Sequence, residues 1–323
     1  MLLIPETLVP DLLSVADAIA AVERTLAAYD RDAAQPYPVV RETTGHRRAV
    51  FGIKSGFDRS AMLLGLKAGG YWPENAAAGR SNHQSTILLF DPETGMASAL
   101  VGGNYLTGVR TGAASAIATR HLAREDATTL SIIGAGIQSG YQLRATLAVR
   151  ALQRVVAWDP SAANLEALGR EVRALGLPFI AAASPEDAIR PADILITVTP
   201  SQSPIVHKDW VRPGTHINAM GADTAGKQEL APDLVASASI CVDAVEQAIT
   251  IGECQHAFRQ GLLCRDDLTR TLGGLASGRL AGRSRADEIT LFDGTGIALQ
   301  DLAAAGVTVA RARARGLGTE VEF

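Results

Sequence analysis

Hydrophobic positions in residues 11–30 recur at helical spacing: Leu12, Leu13, Val15, Ile19, Val22 and Leu26 fall on one side of a helix. The period then changes. From Pro36 to about Val101, short apolar runs are divided by Gly, Asn, Asp and Pro. They include Arg48-Ala49-Val50-Phe51-Gly52-Ile53, Met62-Leu63-Leu64-Gly65-Leu66-Lys67 and Ser85-Thr86-Ile87-Leu88-Leu89-Phe90. Such runs predict an antiparallel sheet. Asp91-Pro92-Glu93-Thr94-Gly95 predicts a turn between two of its strands. An Ala-rich helix containing Arg110 and Thr111 follows over 107–123.

From Ala127 onward, strands and helices alternate. Strands are expected at 128–133, 154–158, 178–182, 193–198, 215–219, 239–242 and 288–292. Helices fit 137–150, 161–175, 184–189, 231–236 and 244–250. That alternation builds a mostly parallel, doubly wound sheet. After Phe292-Asp293-Gly294-Thr295-Gly296 come a long helix, about 297–315, and a short last strand, 319–323. A terminal helix of that length can return to the first domain. The expected fold class is therefore α/β. A Rossmann-type doubly wound domain, 119–299, is inserted into a discontinuous α+β substrate domain, 1–118 plus 300–323.

Bulk properties narrow the classes. A chain of 323 residues, 47% apolar, has material for two cores. Its 30 basic and 34 acidic residues leave no basic stripe, so no nucleic-acid partner is expected. The N-terminus lacks a basic and then apolar signal-peptide pattern, and no apolar run reaches the ~20 residues needed to cross a bilayer. A cytoplasmic protein without a membrane partner is expected. Cys241, Cys254 and Cys264 have no CxxC spacing, and His83, His207, His216 and His256 are scattered. No metal site is expected.

The chemistry begins at Leu130-Ser131-Ile132-Ile133-Gly134-Ala135-Gly136-Ile137-Gln138-Ser139-Gly140, where an apolar run ends in close glycines and a helical pattern starts at once. Gly134 suits a tight turn. Gly136 lets the backbone approach a pyrophosphate held at the helix N-terminus. Ser139 stands where a third small residue belongs. Asp159 ends the next strand, Val155-Val156-Ala157-Trp158-Asp159, where an acid bonds ribose hydroxyls and repels a 2′-phosphate. The expected cofactor is NAD, as NADH. The other reading is a packed glycine turn with Asp159 as a helix cap.

The first domain offers Arg41, Lys54, Lys67 and Arg110, each inside or beside an apolar run. Each alone fits an exposed or snorkelling side chain. Together they suggest an anion pocket, and four cations exceed the need of one carboxylate. Asn82, His83 and Gln84 precede a strand and add polar candidates; His83 equally fits a loop histidine. Farther on, Ile217-Asn218-Ala219-Met220-Gly221-Ala222-Asp223 runs from a strand into a polar loop that includes Lys227. Strand carboxyl ends line the ligand crevice of a doubly wound sheet, so Asp223 is placed to stabilise a positively charged substrate nitrogen. Asp223 equally fits a loop cap.

These pieces in this order resemble the ornithine cyclodeaminase/mu-crystallin family. The resemblance rests on Lys67, Leu89-Phe90-Asp91-Pro92-Glu93-Thr94-Gly95 and Leu106-Thr107-Gly108-Val109-Arg110-Thr111-Gly112-Ala113-Ala114-Ser115. It continues through Gly134-Ala135-Gly136-Ile137-Gln138-Ser139, Gly221-Ala222-Asp223 with Lys227-Gln228-Glu229-Leu230, and Phe292-Asp293-Gly294-Thr295-Gly296. It implies a homodimer joined through the first domains. It implies that Arg41, Lys67 and Arg110 bind a substrate carboxylate and that Asp223 is catalytic, with Lys67 as a second catalytic candidate. Ile137, Gln138, Asp159, Lys227 and Gly294 match cofactor contacts. Asn82, Arg110, Thr111, Gly134, Gly136, Thr199 and Met220 complete the expected cofactor set, and Lys54, His83 and Thr295 the substrate set.

One departure narrows the substrate. Family members that accept ornithine carry a Glu near the position of Lys54, and a Lys there disfavours a cationic diamino acid. Gly69-Gly70-Tyr71-Trp72-Pro73-Glu74-Asn75, Asn82-His83-Gln84-Ser85-Thr86, Ile251-Gly252-Glu253-Cys254-Gln255-His256-Ala257 and the stretch from Phe292 to Asp301 are similar to members that reduce a dicarboxylate imine with NADH. That reaction is the expectation. The alternatives are reduction of another imine, as in ketimine reductases or alanine dehydrogenases, an NAD-dependent amino-acid cyclodeaminase, and a non-catalytic nucleotide-binding protein.

Overall fold

In the computed structural model, which describes residues 1–322, the chain divides into two units. One comprises Met1–Thr111 and the segment from Ile297; the other is Gly112–Gly296. These limits stand a few residues before the expected 118/119 and 299/300. The first falls inside a helix, where no turn marks the change in the sequence.

The first unit starts with β1 (Leu2–Ile4), α1 (Val9–Leu12) and α2 (Val15–Asp30). The single helix expected over 11–30 is broken. Leu13 is extended, with φ −134° and ψ 106°. Ser14 Oγ accepts the Asp17 N–H at 3.2 Å, and the Asp17 carboxylate accepts the Ser14 N–H at 3.2 Å. This reciprocal box satisfies the first donors of a new helix, which favours a fresh start over continuation.

Next come β2 (Ala34–Pro36), β3 (Val40–Thr43), β4 (Val50–Asp58), β5 (Leu63–Tyr71), β6 (His83–Phe90), β7 (Ala97–Gly102) and α3 (Asn104–Leu122). The β6–β7 turn forms where expected: Asp91 Oδ1 accepts the Glu93 N–H at 2.8 Å, and Gly95 takes φ +74°. The sheet order is β1-β7-β6-β5-β4-β2, with β3 also on β4. Its pairings are antiparallel except β1 with β7.

Register decides which side chains share a face. Lys54 pairs with Lys67, Arg41 with Gly52, and His83 with Tyr71. Because side chains alternate, Arg41, Lys54, Lys67 and His83 all stand on one face. The other face carries Phe51, Ile53, Phe57, Leu64, Leu66 and Leu88, each half-buried or exposed.

The second unit contains β8 (Thr129–Ile133), α4 (Ile137–Leu147), β9 (Arg154–Trp158), α5 (Ala162–Ala174), β10 (Phe179–Ala181) and α6 (Pro185–Ile189). It continues with β11 (Ile194–Thr197), β12 (Gln202–Val206), β13 (His216–Ala219), β14 (Gln228–Leu230) and α7 (Pro232–Ser237). β15 (Ser239–Val242), α8 (Val245–Thr250), α9 (Cys254–Arg259), α10 (Leu272–Ala276) and β16 (Thr290–Asp293) complete it. Seven strands form a parallel sheet in the order β10-β9-β8-β11-β13-β16-β15, doubly wound as expected. Apolar clusters cover both faces, one around Leu195, Ile217 and Leu291, the other around Leu130, Ile132 and Ile194. The β12–β14 pair, α9 and α10 are additions to the expected elements. Elements of three to six residues carry too little periodicity to be read from sequence.

The chain then returns to the first unit through α11 (Ala298–Ala314) and β17 (Thr319–Glu320), which pairs with β1. The expected strand end at Phe323 lies outside the described residues. α11 packs on α2, β4 and β5. Glycines let it come close: a Cβ at Gly56 or Gly65 would stand 3.3 or 3.0 Å from Leu299 Cδ2 or Leu302 Cδ2. Arg311 donates to both Asp17 oxygens, at 2.5 and 2.6 Å, and joins α11 to the start of α2. Among the described residues, no helix is long and apolar enough to cross a membrane.

Candidate active site

In the first unit the cation-bearing face of the sheet meets the first turn of α11. Lys67 Nζ donates to Asp301 Oδ1 at 2.9 Å, and Arg110 Nε donates to the same oxygen at 2.8 Å. Arg110 Nη1 also donates to Gln300 Oε1 at 3.0 Å. The Asp301 side chain is 0% exposed, and those of Lys67 and Arg110 are 9% and 7%. Burial, and next the neighbouring Arg110 charge, push the Lys67 ammonium down to about 7. Burial raises the Asp301 carboxyl, but Arg110 and Lys67 outweigh it and hold it below the usual carboxylate range.

Asp301 was missing from the residues expected in this site. It offsets one of the four positive charges whose surplus suggested a dicarboxylate, so that count overstates the excess by one. A signal was present: an acid in the first turn of a helix otherwise rich in Ala and Leu. Lys54, cross-strand to Lys67, lowers the pKa of both Lys67 and Asp301 through its charge. Arg41 and His83 stand on the same face, half-buried. Asn82 adjoins them and donates from Nδ2 to Tyr71 Oη at 3.2 Å. Thr111 follows Arg110 on α3, half-buried.

In the second unit the glycine turn has the geometry of a nucleotide-binding loop. Gly134 takes φ +96°, and a Cβ there would lie 2.8 Å from Thr199 Cγ2 and 2.9 Å from the Val198 carbonyl oxygen. Only glycine fits that position. Gly136 is different. Its φ of −77° suits any residue, and a Cβ would meet nothing within 4 Å. Glycine at Gly136 thus serves no packing need of the protein; it leaves the start of α4 bare. No side chain caps α4, so the N–H groups of its first turn suit a pyrophosphate. Ile137 at that start is 68% exposed, and Gln138 follows it. Ser139 is buried and donates to the Gly136 carbonyl at 2.6 Å, filling the third small position.

Asp159 ends β9 beside this turn. Its Oδ2 accepts the Ala135 N–H at 2.7 Å, and its Oδ1 accepts the Ser161 N–H at 2.7 Å. It therefore braces the turn and holds the N–H of Ser161, the residue whose own hydroxyl caps α5. The Asp159 carboxylate is half-buried.

The carboxyl ends of β11 and β13 carry the remaining candidates. Lys227 Nζ donates to Asp223 Oδ1 at 2.7 Å and to the Gly221 carbonyl at 3.2 Å, fixing the loop acid in place. Met220 lies against Gly294, where a Cβ would meet the Met220 thioether at 2.5 Å. Glu229 gathers these ends. It accepts the Thr199 N–H at 2.6 Å, the Gly221 N–H at 2.9 Å and the Thr197 hydroxyl at 2.6 Å. Burial raises its pKa, and those hydrogen bonds oppose the rise. Glu229 belongs to the Lys227–Leu230 stretch that carries the family resemblance, but nothing in its spacing marks a carboxylate that will turn inward. Thr295 is buried, and its hydroxyl donates to Asp243 Oδ1 at 2.6 Å. This bond anchors the 293–296 turn.

The chain matches the sequence model of the ornithine cyclodeaminase/mu-crystallin family over residues 4–316. It is 47% identical over 323 residues to the iminosuccinate reductase of Paracoccus denitrificans, covering all of both chains. The crystal structure of that enzyme with NAD+ superposes with a TM-score of 0.94 at 46% identity, over 100% of this chain and 99% of that one. The Thermococcus litoralis Δ(1)-pyrroline-2-carboxylate reductase, solved with NADH and L-proline, gives 0.96 at 30% identity over 99% and 100%. An archaeal alanine dehydrogenase dimer with bound NAD gives 0.95 at 33% over 100% and 99%.

The two glycines should separate folding from cofactor binding. Gly136→Val should leave the melting temperature within about 2 °C of wild type and weaken NADH binding at least about tenfold. Gly134→Ala should lower the melting temperature itself by several degrees, at roughly 1–3 kcal/mol. Calorimetry and NADH fluorescence titration read both. Equal behaviour of the two variants would contradict the assigned difference.

Proposed function

The chain belongs to the ornithine cyclodeaminase/mu-crystallin family, and from that premise we propose that it is an NADH-dependent imine reductase converting iminosuccinate to L-aspartate. The observation that carries the substrate is Lys54 directly cross-strand from Lys67. One carboxylate engages Lys67 and Arg110; a second cation on the same face suits a second carboxylate. The full-length relative named for iminosuccinate supports the same choice.

Bound NADH supplies the hydride. Gly134, Gly136, Ile137, Gln138 and Asp159 would hold its pyrophosphate and ribose, with Thr199, Met220, Lys227 and Gly294 at the other end. Arg41, Lys67 and Arg110 hold the carboxylate next to the C=N carbon, and Lys54 with His83 holds the second. Asp223 stabilises the protonated imine, whose positive charge makes the carbon a better acceptor. Lys227 orients Asp223 for that task. The same reading places the enzyme in the cytoplasm.

We also propose a homodimer. The sheet face bearing Phe51, Ile53, Phe57, Leu64, Leu66 and Leu88 is too apolar to be left to solvent. A second copy of the same face covers it by two-fold pairing. Leu88→Asp should turn a dimer into a monomer in sedimentation analysis; a monomeric wild-type protein at micromolar concentration rules the dimer out.

Oxidation of NADH in oxaloacetate plus ammonia, compared with pyruvate and glyoxylate plus amines, tests the activity. Iminosuccinate, which forms in the first mixture, should be reduced fastest. No preference for it, or no NADH consumption, would sink the reading. Asp223→Ala should lose at least about a hundredfold in turnover while NADH still binds. Lys54→Glu should cost dicarboxylate imines about tenfold or more beyond its effect on monocarboxylate ones; equal losses would remove Lys54 from recognition.

A further inference from the structure

We propose that Asp301 is a positioning residue for the substrate carboxylate, acting through Lys67 and Arg110 without touching the substrate. The inference rests on the anion site described above. Asp301 is fully buried, so a substrate cannot reach it. Its influence passes through two cations that converge on one oxygen, at 2.9 Å from Lys67 Nζ and 2.8 Å from Arg110 Nε. Two points held on α11 also fix the guanidinium plane: Nε on Asp301 and Nη1 on Gln300 Oε1. A planar fork held by two of its nitrogens presents its remaining edge in one direction.

Stability alone does not account for this arrangement. Asp301 Oδ2 and Gln300 Nε2 are buried and have no hydrogen-bond partner among the described residues. A buried ion triad with an unsatisfied oxygen is less favourable than an apolar packing of the same volume. What the triad does provide is two cations side by side, in one geometry, with a counter-ion behind them.

The groups facing Lys67 decide its charge. Arg110 comes from α3, Asp301 from α11 and Lys54 from β4; the neighbour on β6 is Ile87. Burial, Arg110 and Lys54 lower the Lys67 pKa, and Asp301 alone among these raises it, leaving it at about 7. Anion binding needs the ammonium form. Affinity for a dicarboxylate is therefore full below about pH 7 and falls as pH rises through that value. Without the Asp301 charge the fall must begin at lower pH.

Succinate, a dicarboxylate that accepts no hydride, is the probe. Its dissociation constant is measured by calorimetry on the NAD+-saturated enzyme across neutral pH, alongside the affinity for NAD+. Asp301→Asn should weaken succinate binding at least about tenfold at neutral pH and move the fall about one pH unit or more downward. NAD+ affinity should stay within about twofold. Lys67→Arg should abolish the fall, and adding Asp301→Asn to it should not restore one. An unshifted profile in Asp301→Asn, or loss of NAD+ affinity in parallel with succinate, overturns the proposal. So does a wild-type enzyme that binds no succinate at any of these pH values. If Asp301→Asn does not fold, an unchanged profile in Lys67→Arg overturns it instead. Wild type that binds succinate but oxidises no NADH with iminosuccinate would defeat the imine-reductase reading and leave the role of Asp301 standing.

Discussion

Two cations cannot be buried side by side without a negative charge to hold them. In this chain Lys67 and Arg110 meet that constraint only because Asp301 arrives from the far end of the sequence. The return of α11 to the first unit is therefore a requirement of the site as well as of the core. The glycines at Gly56 and Gly65 admit the helix, Leu299 and Leu302 bury against the sheet, and Asp301 is delivered by the same turn. Packing and electrostatics are joined in one element: a shift of α11 would move the counter-ion as well as the core.

The second unit solves the opposite problem. Burial raises the buried acids Glu229, Glu253 and Asp293, the charges of Glu229 and Asp293 raise Glu253 further, and backbone N–H groups oppose the rise in all three. Glu253 accepts the N–H groups of Glu229 and Leu230, while Glu229 accepts those of Thr199 and Gly221. Burial pushes Asp293 up to about 7, even with the N–H groups of Glu253 and Cys254 opposing it. Carboxylates used in this way act as struts between loop segments. They let the carboxyl ends of β11 and β13 keep an irregular path, with Thr199, Met220 and Asp223 held at defined positions.

Most of the architecture was legible because it repeats. Alternating strands and helices after Ala127, the Gly134–Gly136 turn with Asp159 one strand later, and the Asp91–Gly95 turn each follow from local chemistry. The break at Leu13 was legible only in part. Ser14 and Asp17 form a capping box, but the apolar spacing runs straight across it. The candidate cations were found one at a time, as lone charges in apolar runs. Their common face depends on register, which short runs do not reveal.

The sequence by itself determined the parallel nucleotide-binding sheet, the glycine turn, the acid that ends β9, and the identity of the cations in the first unit. These depend on residues near one another along the chain, where backbone conformation and side-chain period leave few choices. Only the tertiary structure decided the partnership of Lys67 and Arg110 with Asp301, 234 and 191 residues away. It alone turned Glu229 inward to gather two strand ends, and gave the Thr295 hydroxyl to Asp243. A buried charge takes whatever partner the fold brings within hydrogen-bonding distance, and no local pattern records which one that will be.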